Sequence, residues 1–164
     1  MRSYSEPPAL PGSTPDPNRL HAVDACLAAL EMQAAVARTN TQRQKLRLPV
    51  LEVRIGLHAG PVIAGVVGKR SISYDIWGDT VNTAALVEEH GAPGRVNVSE
   101  TVAGYVESMF DLEPRGTVES EKKGPLRMFW LNRLQAQYAR DPEGRQPNAA
   151  FASERQRLLT GYGG

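Results

Sequence analysis

A single cysteine, Cys26, stands among 164 residues, so no intrachain disulfide forms and the fold rests on packing. Cys26 falls on the apolar side of an expected helix, which reads as core filler, since an activated thiolate needs a positive environment nearby. Net charge is almost absent as well: 19 basic against 18 acidic residues leave +1, so no global field argues for nucleic acid or an anionic membrane surface as partner. No apolar run approaches the roughly 20 residues of a membrane helix. The N-terminus, Met1 to Pro8, lacks the apolar core of a signal peptide, and both observations lead to the expectation of a cytoplasmic protein. Metal-ligand spacing is missing around His21, which reads as a surface or capping residue. The run Gly65 to Ser71 contains Gly68-Lys69 but fails as a phosphate loop: Ile63 occupies the first glycine position, and the run leads into a strand where a helix is needed.

What is present suffices for one domain, because 41% apolar content in 164 residues supports an ordinary core. Residues 1–17 form a proline-rich irregular leader. Asp16-Pro17-Asn18 supplies a cap and a first-turn proline, and Leu20, Val23, Leu27, Leu30 and Ala34 then recur at helical spacing, predicting a helix over 18–37. Thr39 to Leu48, polar and basic, reads as a solvated connection.

Leu51, Val53, Ile55 and Leu57 alternate with Glu52, Arg54, Gly56 and His58, the pattern of a strand with one buried face. Ala59-Gly60-Pro61 ends it. Val62 to Val67, a turn at Gly68-Lys69-Arg70 and Ser71 to Trp77 then predict a hairpin arm, with Asp75 off the main apolar row. Gly78-Asp79 opens a helix with Asp79 as N-cap and Gly91 at C′, and within it Asn82 and Leu86, four apart, share a face. Val96 to Val98 reads as a strand, Ser99 as the cap of a helix over 100–108, Phe110 to Glu113 as a strand, Pro114-Arg115-Gly116 as a turn and Leu126 to Leu131 as a last strand. Residues 134–164 read as a polar, mobile tail with a short helical piece near Ala150 to Leu159.

The run Val53-Arg54-Ile55-Gly56-Leu57-His58-Ala59-Gly60-Pro61-Val62, followed by Tyr74-Asp75-Ile76-Trp77-Gly78-Asp79-Thr80-Val81-Asn82, resembles the second half of a class III adenylyl/guanylyl cyclase catalytic domain. The likeness extends back through Ala29-Leu30-Glu31-Met32 and forward through Gly94 to Glu100, Arg115-Gly116 and Lys123-Gly124-Pro125. It implies a partial cyclase domain over 18–133 with a truncated ferredoxin-like α+β fold: a mixed or antiparallel sheet, helices on one face and a protruding hairpin arm. The implied activity is closure of ATP to cyclic AMP and pyrophosphate in intracellular signalling.

By the same resemblance Asp75 accepts a hydrogen bond from the adenine amino group, which favours ATP over GTP, and Ile76, Trp77 and Lys123 join it in binding substrate. Asn82 orients the ribose during ring closure. Leu86 stands where the family carries the arginine that stabilises charge on the reacting phosphate, a loss of several kcal/mol. The family works with two magnesium or manganese ions on two aspartates of its first half, and the resemblance places both aspartates outside this sequence. Its active sites form between subunits, so the expected partner is a second copy or a complete cyclase domain. A non-catalytic nucleotide-binding partner and a structural remnant are the alternatives. Glu121, beside Lys122-Lys123, departs from the family's basic residue.

Overall fold

The computed structural model describes residues 3–4, 20–67, 73–120 and 124–160, with the backbone alone for 3–4, 63–67 and 73–77. Four strands form a mixed sheet in the order β2 (Ile55–Leu57), β5 (Val96–Ser99), β7 (Gly124–Leu134), β6 (Phe110–Ser120). β2 runs parallel to β5, while β5/β7 and β6/β7 are antiparallel. A second, three-stranded sheet has the order β1 (Ser3–Tyr4), β3 (Val62–Val67), β4 (Ser73–Trp77), all antiparallel. The helices are α1 (His21–Lys45), α2 (Asp79–Glu89), α3 (Glu100–Val106) and α4 (Ala149–Thr160).

The expected α+β class, mixed sheet and hairpin are present, but the helices divide between the two faces of the sheet. Val96 and Val98 of β5, with Ile55 and Leu57 beside them, pack into a core with Val23, Cys26 and Leu30 of α1 and Val102 and Val106 of α3. The intervening residues face α2: Asn97 Nδ2 donates to the Val87 carbonyl at 2.7 Å. Gly56, paired with Asn97, lies so close under α2 that a Cβ there would sit 2.3 Å from the Glu88 nitrogen. Alternation along β5 therefore fills both faces, and all four of its residues are buried.

Several local expectations are corrected. α1 continues eight residues past Ala37 through the segment expected as a connection, since Gln42, Arg43, Gln44 and Lys45 are good helix formers and no breaker intervenes before Pro49. The first strand of the alternating run shortens to Ile55–Leu57 because α1 amides take its earlier backbone groups. Asn40 donates to the Leu51 carbonyl at 2.9 Å and accepts from the Leu51 amide at 2.8 Å, and Gln33 Nε2 donates to the Val53 carbonyl at 3.0 Å. Pro114 to Gly116 is no turn: β6 runs through it with a register shift, tolerable because β6 is an edge strand where a missing N–H need not break a ladder.

Ser99 caps α3 as expected, accepting from the Val102 amide at 3.4 Å. After Leu134 the chain forms a short 3-10 turn (Ala136–Tyr138) and then α4, which matches the helical piece expected near Ala150 to Leu159. Asn148 caps α4 by accepting from the Phe151 amide, and Phe151 enters the core with Tyr138 edge-on at 6.4 Å. Asp16 to Asn18, the turn at 68–70 and Lys123 lie outside the described residues.

Candidate nucleotide site

β4 leads directly into α2 through one residue, Gly78, and the candidate residues lie on either side of it. Asp75, Ile76 and Trp77 belong to β4, where backbone pairing sets Gly65 opposite Asp75, Ala64 opposite Ile76 and Ile63 opposite Trp77. Gly78 has φ 135 and ψ 173, a conformation that disfavours any residue with a Cβ. Its carbonyl accepts from the Val81 amide at 3.1 Å and the Asn82 amide at 3.4 Å. Gly78 is thus the N-cap, and Asp79, expected in that role, is the first helical residue, where its carboxylate still complements the helix N-terminus.

Two threonines anchor the start of α2. Thr80 Oγ1 donates to the Pro61 carbonyl at 2.6 Å, against Gly60, whose Cβ position lies 2.6 Å from the same oxygen. Thr83 Oγ1 donates to the Asp79 carbonyl at 2.8 Å, and both threonines are buried, as is Val87 one turn on. With Thr80, Thr83 and Val87 turned inward, Asn82 is exposed and makes no side-chain hydrogen bond among the described residues. Leu86 is half-buried one turn further along that side, and its carbonyl accepts from the His90 amide at 3.1 Å and from His90 Nδ1 at 3.0 Å. The junction brings Asp75, Ile76, Trp77 and Asn82 within eight residues of chain. Lys123 lies outside the described residues.

The threonine anchors escaped the sequence reading, although Gly60-Pro61 and a Thr-x-x-Thr spacing were both visible. His58, immediately after β2, belongs to both the alternating run and the motif, but neither foretells its contact: its Nδ1 lies 2.8 Å from Ser99 Oγ, joining the end of β2 to the cap of α3. Among the described residues no three His, Cys, Asp or Glu side chains are grouped to hold a metal ion. The magnesium or manganese implied by the resemblance therefore finds no fitting donor set there. Elsewhere, the Arg95 guanidinium and then the Asn132 amide hold the Glu113 carboxyl below its ordinary range, while Arg95 also lies over the Trp130 ring at 4.3 Å.

Residues 9–133 match the family described as the adenylate and guanylate cyclase catalytic domain. Soluble guanylate cyclase 89Db of Drosophila melanogaster is 37% identical over 118 residues, which cover 71% of this chain and 17% of that protein. The guanylate cyclase domain of RhGC from Catenaria anguillulae, solved with GTP, superposes with a TM-score of 0.63 at 29% identity, covering 76% of this chain and 64% of the other. The catalytic core of a rhodopsin-guanylyl cyclase with converted specificity, solved with ATPαS, superposes with a TM-score of 0.61 at 30% identity, covering 74% and 61%. The chain thus spans under two thirds of these solved domains and a much smaller share of the Drosophila protein. No described helix is long and apolar enough to cross a membrane. A matched stretch of this length, over a fold shared with solved cyclase domains, means that the chain belongs to the adenylate and guanylate cyclase catalytic domain family.

Proposed function

We propose that the chain supplies the purine- and ribose-binding half of a nucleotide cyclase site, with ATP as the preferred nucleotide and residues 18–133 as the part responsible. The observation that carries this reading is the β4–Gly78–α2 junction, with Asn82 exposed and unengaged beside a strand bearing Asp75. An exposed amide on an anchored helix suits a positioning role: it can hold the ribose while the 3′-hydroxyl approaches the α-phosphate. A carboxylate at Asp75 accepts a hydrogen bond from an exocyclic amine and repels the carbonyl that guanine presents there, which is why adenine is the proposed base. The guanylyl cyclases among its relatives argue the other way, so the base is decided by direct competition between ATP and GTP analogues.

Leu86 favours non-catalytic partnership over independent turnover. An aliphatic side chain one turn beyond Asn82 cannot stabilise charge on a phosphate, and removal of such a stabiliser costs about 3 kcal/mol or more, a rate loss of a hundredfold or greater. In this reading the chain contributes Asp75, Ile76, Trp77, Asn82 and Lys123 to a site shared with a second copy or a complete cyclase domain, in the cytoplasm.

Two measurements on the full chain test the proposal together: binding of a non-hydrolysable ATP analogue, and cyclase turnover with magnesium or manganese for the natural chain and Leu86→Arg. Binding without turnover supports the partner reading, and a gain of turnover in Leu86→Arg supports a latent catalytic site. Absence of both identifies a remnant and refutes the proposal.

A further inference from the structure

The outward end of α1 carries a feature that the nucleotide site does not use. From Met32 to Leu51 the sequence holds four basic residues, Arg38, Arg43, Lys45 and Arg47, and no acidic one, in a chain whose total charge is +1. Interleaved with the last three are exposed apolar side chains: Leu46 at 70%, Leu48 at 47%, Val50 at 44% and Leu51 at 43%. Arg38 is paired with Glu31, but the side chains of Lys45 and Arg47 make no ion pair or hydrogen bond among the described residues.

This end is built as a rigid knuckle. The Leu48 amide donates to the Arg43 carbonyl at 2.9 Å, Arg43 Nε reaches the Pro49 carbonyl at 2.6 Å, and Asn40 grips Leu51 through both its backbone groups. Arg47 takes φ 54 at the reversal. The chain therefore doubles back along α1, leaving Leu46 and Leu48 exposed at the end of the helix, alternating in sequence with Lys45 and Arg47.

We propose that this knuckle is a docking surface for a bilayer containing anionic lipid. Apolar side chains enter the headgroup boundary while flanking Lys and Arg keep their charges at the phosphates, a division that suits a fluid anionic surface. A folded protein partner would need a cavity to receive projecting leucines, and the local charge would still require that partner to be acidic. Docking through this one end would also orient the molecule on the surface.

The test is co-sedimentation of the full chain with vesicles of phosphatidylcholine alone and with vesicles of equal parts phosphatidylcholine and phosphatidylserine. The expected result is sedimentation with the mixed vesicles only, abolished near 1 M salt, where the screening length falls to about 3 Å. The double variant Lys45→Gln/Arg47→Gln weakens partitioning about 25-fold, roughly fivefold for each cation removed. Leu46→Ser/Leu48→Ser, which leaves the charge intact, weakens it about tenfold. Circular dichroism confirms that these surface variants keep the fold. Equal binding to both vesicle types, no binding to either, or binding indifferent to both double variants overturns the proposal. So does a concentration-dependent dimer that the leucine variants dissociate while lipid binding is absent, which would assign the knuckle to a second copy.

Discussion

At Cys26 the burial of one thiol decides its chemistry. Its side chain is fully buried between α1 and the sheet, and desolvation pushes its pKa up to about 12. The folded chain keeps this proton where the unfolded chain has lost it, so the associated stability is complete below the ordinary thiol range and declines as pH rises from there toward 12. At neutral pH a thiol-specific reagent should react at least about 100-fold more slowly with the native chain than with the urea-unfolded chain; comparable rates would place the thiol outside the core. Gly56 poses the complementary steric problem. Gly56→Ala sets a methyl 2.3 Å from the α2 backbone, and an expected loss of about 2–3 kcal/mol in urea unfolding follows from the required shift of α2. An unchanged midpoint would show that α2 moves freely over β2.

The elements show where alternation and periodicity were enough to read and where they were not. β3, β4, β5 and the cap of α3 were legible because each carries its own pattern: Val96 and Val98 alternate with Asn97, and Ser99 precedes a helical run. β2 was overread because Leu51 and Val53 alternate correctly, yet their backbone groups are taken by Asn40 and Gln33, side chains distant in sequence. The far end of α1 was underread because its polar residues face solvent and offer no apolar period. For the candidate site, Asp75 and Asn82 are proposed through motif likeness alone, whereas the Thr80 anchor depends on a contact with Pro61, 19 positions away, that no local pattern encodes.

Asn40→Ala removes both bonds to Leu51 and should cost about 1–2 kcal/mol while speeding amide exchange at Leu51; unaltered exchange there would mean that the segment is held by something else. At Glu113, whose carboxyl the Arg95 side chain and then Asn132 hold below its ordinary range, the contribution to stability is present above that range and fades as pH falls through the lowered value. Glu113→Gln should therefore flatten the acid side of the stability profile, as urea midpoints across the acid range would reveal.

Across the whole molecule, the part beyond Leu134 closes the core. Phe151 is buried with the α1/α3 cluster, and Arg155 pairs with Asp24 of α1 at 3.0 Å, joining residues 131 positions apart. Phe151→Ala should cost about 3–4 kcal/mol, whereas Arg155→Ala, at a half-exposed pair, should cost about 1 kcal/mol or less. The core packing of Phe151, more than the ion pair, then fixes α4; equal losses in the two variants would contradict this.

The proposed purine half-site rests on the β4–Gly78–α2 junction, and the most direct measurement is titration of the isotope-labelled full chain with ATP, followed by amide resonance shifts. The account predicts shifts concentrated at residues 73–83, with affinity reduced about tenfold in Asn82→Ala and selectivity for ATP over GTP lost in Asp75→Ala. Shifts absent from that junction, or equal affinity in all three chains, would contradict it.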